Sequence, residues 1–133
     1  MTPQQKLKRA VILRGAELGD IERPNEEITA ENVDSIFDCL DEDYALQDAK
    51  NEVRSSGTKT NLECQWSRHY ESEAVAARMT DGSWVGWTYW YGGGKHGDPD
   101  AMEWIADAYE VECKEEEKLV VVQTFKAKNE ATA

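Results

Sequence analysis

The spacing of apolar residues divides this chain into two parts. Before Gly57, apolar side chains recur every three to four positions, which is the period of an amphipathic helix. Leu7, Val11 and Leu18 follow that spacing and predict a first helix over residues 4–18. Beyond Gly57 the period becomes two, which is typical of a strand with one buried face. The pattern therefore predicts helices first and strands afterwards.

Two further helices are expected before Gly57. Thr29 is a suitable N-cap for the first of them, because its hydroxyl can accept backbone N–H groups of the next turn. Asp41 or Asp43 could cap the second helix, which runs over residues 44–54 and ends at the Ser-Ser-Gly sequence that follows. The apolar stripe of the earlier helix consists of Val33, Ile36, Phe37, Leu40 and Tyr44.

The second part of the chain predicts strands separated by turns. Thr80-Asp81-Gly82 is a tight-turn sequence, and a short helix is expected over about 99–108. The strands are expected over residues 61–69, 73–79, 83–91, 109–114 and 118–126. We therefore expect an α+β fold in which N-terminal helices precede a mostly antiparallel sheet of about five strands with one short inserted helix. A single domain would span 1–126, with an acidic helical part (1–57), a sheet part (58–126) and a flexible tail at 127–133.

The net charge of −12 is distributed unevenly along the chain. Residues 1–16 carry four cations and no acid, whereas residues 17–52 carry thirteen acids and two cations. Such a surface repels nucleic acid and attracts basic protein surfaces, so direct nucleic-acid binding is not expected. Six of these acids lie on or beside the helix face opposite the apolar stripe: Glu31, Asp34, Asp38, Asp41, Glu42 and Asp43.

Other features narrow the class of protein. No apolar run reaches the roughly 18–20 residues of a membrane span, and the apolar run at residues 10–13 is too short for a secretory signal. Cys39, Cys64 and Cys113 form no CxxC pair, so buried, reduced thiols in a cytosolic protein are expected. We expect no membrane partner, no metal and no cofactor.

The run WYGGGKHGDPD, residues 90–100, has three interpretations. It lacks the earlier glycine of a phosphate-binding loop, and His96 follows Lys95 where that loop needs Ser or Thr. His96, Asp98 and Asp100 could bind a transition metal together with His69. The favoured interpretation is a structural turn whose tip, Lys95 and His96, is exposed for recognition.

The neighbouring run SWVGWTYWY, residues 83–91, is aromatic on both faces of its predicted strand. A central strand covered on both sides, by helices or by a second subunit, would explain this pattern. Alternatively, one face is open and Trp87, Tyr89 and Tyr91 contact a partner or a second copy in a homodimer.

Catalytic signatures are weak in this chain. Neither a GxSxG sequence nor a Cys/His signature occurs. His69 and Glu71, two residues apart on a predicted strand, could form an acid–base pair, and with His96 and Asp98 they define an enzyme or metal-protein alternative. A non-enzymatic protein is the expected class, so no catalytic residue is assigned.

The block from about Trp66 to Tyr109, especially GWTYWYGGGKHGDPDAMEWIADAY (residues 86–109), resembles parts of small uncharacterised proteins encoded by tailed bacteriophages, and this resemblance implies a location in the cytoplasm of a bacterial host. In size, acidity and lack of a catalytic motif, the chain is also similar to small anti-CRISPR and anti-restriction inhibitors. The resemblance implies a phage or mobile-element protein that binds and inhibits a host nucleic-acid-handling or defence protein. The acidic residues would attract that partner's basic surface, while Trp87, Tyr89, Tyr91, Lys95 and His96 would give specificity. A structural homo-oligomer assembled through the aromatic strand is a further alternative.

Overall fold

In the computed structural model, which describes residues 1–94 and 97–128, three α-helices precede a four-stranded antiparallel sheet. The helices are α1 (Pro3–Leu18), α2 (Val33–Glu42) and α3 (Gln47–Ser55). The strands are β1 (Thr58–Lys59), β2 (Glu71–Arg78), β3 (Trp84–Tyr91) and β4 (Tyr109–Val111), and each pairs with its neighbours in sequence. The predicted α+β class is confirmed, with a slightly different number of strands.

Helix α1 closely matches its prediction because strong signals lie at both ends. Thr2 and Gln5 form a reciprocal capping box, in which each side chain accepts a hydrogen bond from the other residue's backbone N–H. Gly19 ends the helix in the left-handed conformation, with φ of 79°. Leu7 and Val11 are fully buried, so this helix forms one wall of the core.

Helix α2 begins later than expected. Its N-cap is Asn32 rather than Thr29, since the Asn32 side chain accepts the backbone N–H of Thr29 at 2.7 Å and stabilises a turn before the helix. Glu31 consequently lies in this turn. Tyr44 does not extend the apolar stripe, because α2 ends at Glu42 and the Tyr44 side chain is 75% exposed.

The hairpin of β2 and β3 is the centre of the sheet. Asp81 accepts hydrogen bonds from both the backbone N–H and the hydroxyl of Ser83, and Gly82 has a positive φ of 88°. These features close the predicted Thr80–Gly82 turn. The hairpin places Val75 directly opposite Trp87.

The sheet is covered on both faces. On one face, Val75, Val85 and Trp87 pack against the buried residues of the helices. On the other face, Thr88 and Trp90 are only 5% and 4% exposed.

Residues 61–70 lie over this second face. The Ser72 hydroxyl donates to the backbone oxygen of Gln65 at 2.6 Å, and the Cys64 Sγ lies 3.3 Å from the same hydroxyl. The prediction of a strand over 61–69 was therefore wrong, because after β1 the chain bends over the sheet instead of pairing along its edge.

Two further predicted elements differ. The expected helix over 99–108 is a single 3₁₀ turn, Pro99–Ala101, followed by irregular backbone that buries Trp104 and Ile105. The Gln4 side chain holds this backbone by donating to the oxygens of Ala106 and Ala108. The strand expected over 118–126 is absent from the described residues, where 112–128 are exposed without regular structure. In residues 1–94 and 97–128, each helix is too short or too polar to cross a bilayer. The prediction of buried thiols was wrong, because Cys39, Cys64 and Cys113 are all exposed.

Candidate functional site

We define the acidic face as the six predicted residues Glu31, Asp34, Asp38, Asp41, Glu42 and Asp43. Four of them lie on α2, while Glu31 precedes this helix and Asp43 is its C-cap. The amphipathic pattern brings them together, because Val33 and Phe37 turn into the core and leave the polar side of α2 in solvent.

Two members of the acidic face are bonded to other helices. Asp34 accepts from the ammonium of Lys8 at 2.9 Å and from the side-chain amide of Gln5 at 3.1 Å. These bonds lower the pKa of Asp34. Asp41 is paired with Lys50 of α3 at 2.8 Å. These two carboxylates therefore connect α2 to α1 and α3, and their charge is largely compensated.

The other four carboxylates, those of Glu31, Asp38, Glu42 and Asp43, are exposed. Among the described residues, no Lys, Arg or His nitrogen lies within ion-pair distance of them. Their charge is therefore available to a partner.

Tyr44 lies beside these carboxylates. It is the single non-glycine residue with positive φ in the described chain, at 57°. This conformation costs an L-residue roughly 1–2 kcal/mol. Tyr44 lines a shallow depression together with Asp38, Asp41 and Glu42. The sequence pattern predicted Tyr44 to be part of the buried apolar stripe, because its spacing fits that stripe, and so gave no sign that it lies on the surface.

A groove lies next to the acidic face. Phe37 and Trp104 form part of its lining, and Lys8 and Lys50 contribute the cations. Both lysines are already bonded to Asp34 and Asp41, so the groove does not offer a free cationic site for an anion.

Trp87 was predicted to contact a partner, and this prediction was wrong. The side chain is fully buried, its ring centroid lies 5.6 Å from that of Trp104, and its indole N–H donates to the Arg54 oxygen at 3.1 Å. Strand β3 pairs with β2 along its whole length and with β4 over Trp84, Val85 and Gly86. The aromatic strand is the centre of the fold.

Tyr89 and Tyr91 are half-buried at the end of β3. Their rings stack with centroids 5.8 Å apart, and the guanidinium of Arg54 lies 4.7 Å from the Tyr89 ring centroid. Burial, followed by the charges of Glu71 and Glu73, raises the pKa of Tyr91. Both rings therefore make contacts within the protein, and part of each side chain remains accessible to solvent.

The glycine loop, residues 92–94 in the described chain, has a backbone conformation that requires glycine. Gly92, Gly93 and Gly94 all have positive φ, and a Cβ on Gly93 would lie 2.5 Å from the ring of Tyr70. Only glycine fits that close approach without rearrangement. Lys95 and His96, the predicted recognition tip, lie outside the described residues.

The alternative enzyme or metal site is only partly described. The backbone oxygen of His69 lies 3.5 Å from the position of a Cβ on Gly93, so His69 is next to the glycine loop. Glu71 begins β2 opposite Tyr91. Asp98 is exposed before the 3₁₀ turn, while His96 is not described. In residues 1–94 and 97–128, no three His, Cys, Asp or Glu side chains are grouped to hold a metal ion.

Comparison with known proteins adds no relative to this picture. No protein-family model matches the chain, and no curated protein or solved structure is significantly similar to it.

Proposed function

We propose that this protein is a non-enzymatic inhibitor, of phage or mobile-element origin, that binds a basic surface on a host nucleic-acid-handling or defence protein. The observation that supports the proposal is the arrangement of Asp38, Glu42 and Asp43 with exposed Tyr44, where the carboxylates lack cationic partners among the described residues.

The chemistry of this surface fits arginine and lysine side chains. A guanidinium group binds a carboxylate through two parallel hydrogen bonds and also stacks on an aromatic ring. Tyr44 supplies the ring and the neighbouring acids supply the carboxylates. A groove that normally binds nucleic-acid phosphates carries such cations, so an acidic protein seated there would compete with the nucleic acid.

The testing experiment is a pull-down from bacterial lysate at low and high salt, followed by competition with duplex DNA for the captured protein. We expect one basic protein to be captured, released by salt and displaced by DNA. The triple variant Asp38→Lys, Glu42→Lys and Asp43→Lys should reduce capture at least about tenfold, since electrostatic contacts at the interface are reversed.

The matched control reverses three exposed acids in the loop between α1 and α2, namely Glu22, Glu26 and Glu27. It changes the net charge by the same amount and leaves the face around Tyr44 intact. Unchanged capture by the control with loss in the test variant supports the proposal. Equal loss in both would show that only net charge matters, and an empty pull-down would contradict the proposed function.

A further inference from the structure

The C-terminal segment, defined as residues 118–128, presents the largest exposed apolar run in the described chain. Its sequence is KLVVVQTFKAK, with three consecutive valines and neither glycine nor proline. Its exposed apolar side chains, 76–105% accessible, are Leu119, Val120, Val121, Val122 and Phe125. Monomeric proteins rarely leave such a run uncovered, so it indicates an interaction surface.

The composition of the segment specifies how it would bind. Valine, threonine and phenylalanine favour extended backbone, and a run of this type is suited to pairing with an open sheet edge. Alternate residues of a strand point to opposite faces, and here both faces are largely apolar. The segment therefore fits a site that offers both backbone hydrogen bonds and apolar contacts.

Strand β4 offers such a site. In the described residues it pairs with β3 on one side only, so its outer edge is open. A groove across the adjoining face of the sheet reaches from β1 to the residues after β4, and its apolar lining includes Trp84, Val111 and Leu62. Val111 pairs directly with Trp84, so their side chains lie on the same face of the sheet. A strand added to β4 would extend this face and place its own side chains beside Val111.

Charge identifies the occupant as a second copy of this chain. Residues 118–128 carry Lys118, Lys126 and Lys128 and no acid, whereas residues 1–117 carry 26 acids against 12 bases, a net charge of −14. The basic, apolar segment is thus complementary to the acidic body of its own protein. In each copy, residues 112–128 follow β4 and are themselves exposed, without a strand partner in the described chain. They can therefore reach a neighbouring copy.

We propose that the C-terminal segment of one copy adds as a strand to the β4 edge of a second copy, and that the exchange is reciprocal in a two-fold dimer. Such closed symmetry covers both segments and both edges at once. The acidic face lies on α2 and at its two ends, outside this surface, so the proposal does not depend on the proposed function.

The test is sedimentation velocity of the untagged full chain over a range of concentrations, compared with two truncations. The chain ending at Glu117 should be monomeric, while the chain ending at Lys126 should remain dimeric. The shorter truncation should still unfold cooperatively in urea, because the removed residues lie outside the core of each copy, and its circular dichroism should lack the strand signal that the added segment contributes in the dimer. Amides of residues 119–125 should exchange slowly in the dimer.

Several outcomes would overturn the proposal. A full chain that sediments as a monomer at every concentration would contradict it, and so would a dimer that persists after truncation at Glu117. Slow exchange of residues 119–125 in a monomer would instead show that the segment folds onto its own sheet. Open-ended assembly of the full chain would contradict the closed two-fold pair.

Discussion

The indole N–H of Trp87, at the centre of β3, donates a hydrogen bond to the backbone oxygen of Arg54 near the C-terminal end of α3, at 3.1 Å. Helix carbonyls at this position lack a partner within the helix, so the tryptophan supplies one. The Arg54 side chain reciprocates by lying over Tyr89 and donating to the Trp90 oxygen. One residue of α3 thus contacts three residues of β3. The aromatic side chains of this strand therefore stabilise the packing of α3 on the sheet.

Replacing Trp87 by Phe should destabilise the protein by about 1–3 kcal/mol. The substitution leaves the Arg54 oxygen without its donor and reduces the volume of a fully buried side chain. Urea unfolding followed by circular dichroism measures the change. The matched control is Trp66→Phe, because Trp66 is 83% exposed and its replacement should change the free energy of unfolding by less than about 0.5 kcal/mol. Equal effects of the two substitutions would contradict this role for Trp87.

Gly86→Ala should also be destabilising, by about 1–3 kcal/mol, because the new methyl group would lie 2.7 Å from the ring of Tyr109 and 2.8 Å from Val111 Cγ2. A double-mutant cycle with Tyr109→Ala tests the cause. If the ring is responsible, the alanine at position 86 should cost clearly less when the ring is absent. An additive cycle would show that the cost arises elsewhere.

Stability should depend on pH through Asp81. Its hydrogen bonds from Ser83, helped by Lys6 at 3.5 Å, lower the pKa of Asp81 from 3.8 to about 2. A lowered pKa in the folded state means that the carboxylate stabilises the fold above pH 3.8, and that this contribution is lost as the pH falls toward 2. The urea midpoint of Asp81→Asn should therefore be below that of the parent at neutral pH, and the two should converge in acid. Glu26→Gln is the control, and a pH-independent gap would contradict this account.

Elements specified by nearby residues could be predicted from the sequence. The first helix has Thr2 and Gln5 at one end and Gly19 at the other, and the β2–β3 hairpin has its turn sequence between alternating strands. The local pattern of apolar residues gave a wrong prediction where tertiary contacts determine the backbone conformation. The alternation in residues 61–69 resembles a strand, but those residues lie over the sheet because the Ser72 hydroxyl binds the Gln65 oxygen and contacts Cys64.

The candidate site was only partly predictable, because local spacing determines some of its features and tertiary contacts determine the others. Helical spacing identified the carboxylates of α2, but it could not show that Lys8 and Lys50, from other helices, compensate Asp34 and Asp41. Tyr44 matched the apolar period by chance, since α2 ends at Glu42. Both facts depend on how the three helices pack.

Tyr44 offers a test that separates folding from binding. Tyr44→Asn should stabilise the protein by up to about 1 kcal/mol, because asparagine tolerates positive φ and a 75% exposed side chain gives up few contacts. The same variant should capture the proposed basic partner more weakly, since it removes the ring on which an arginine would stack. Tyr44→Phe is the matched control, because it keeps both the backbone strain and the ring, and it should leave stability and capture nearly unchanged. Urea unfolding and titration of the captured partner measure the two effects. Undiminished capture by the asparagine variant would exclude Tyr44 from the binding surface, whereas greater stability with weaker capture would show that the strained conformation is retained for binding.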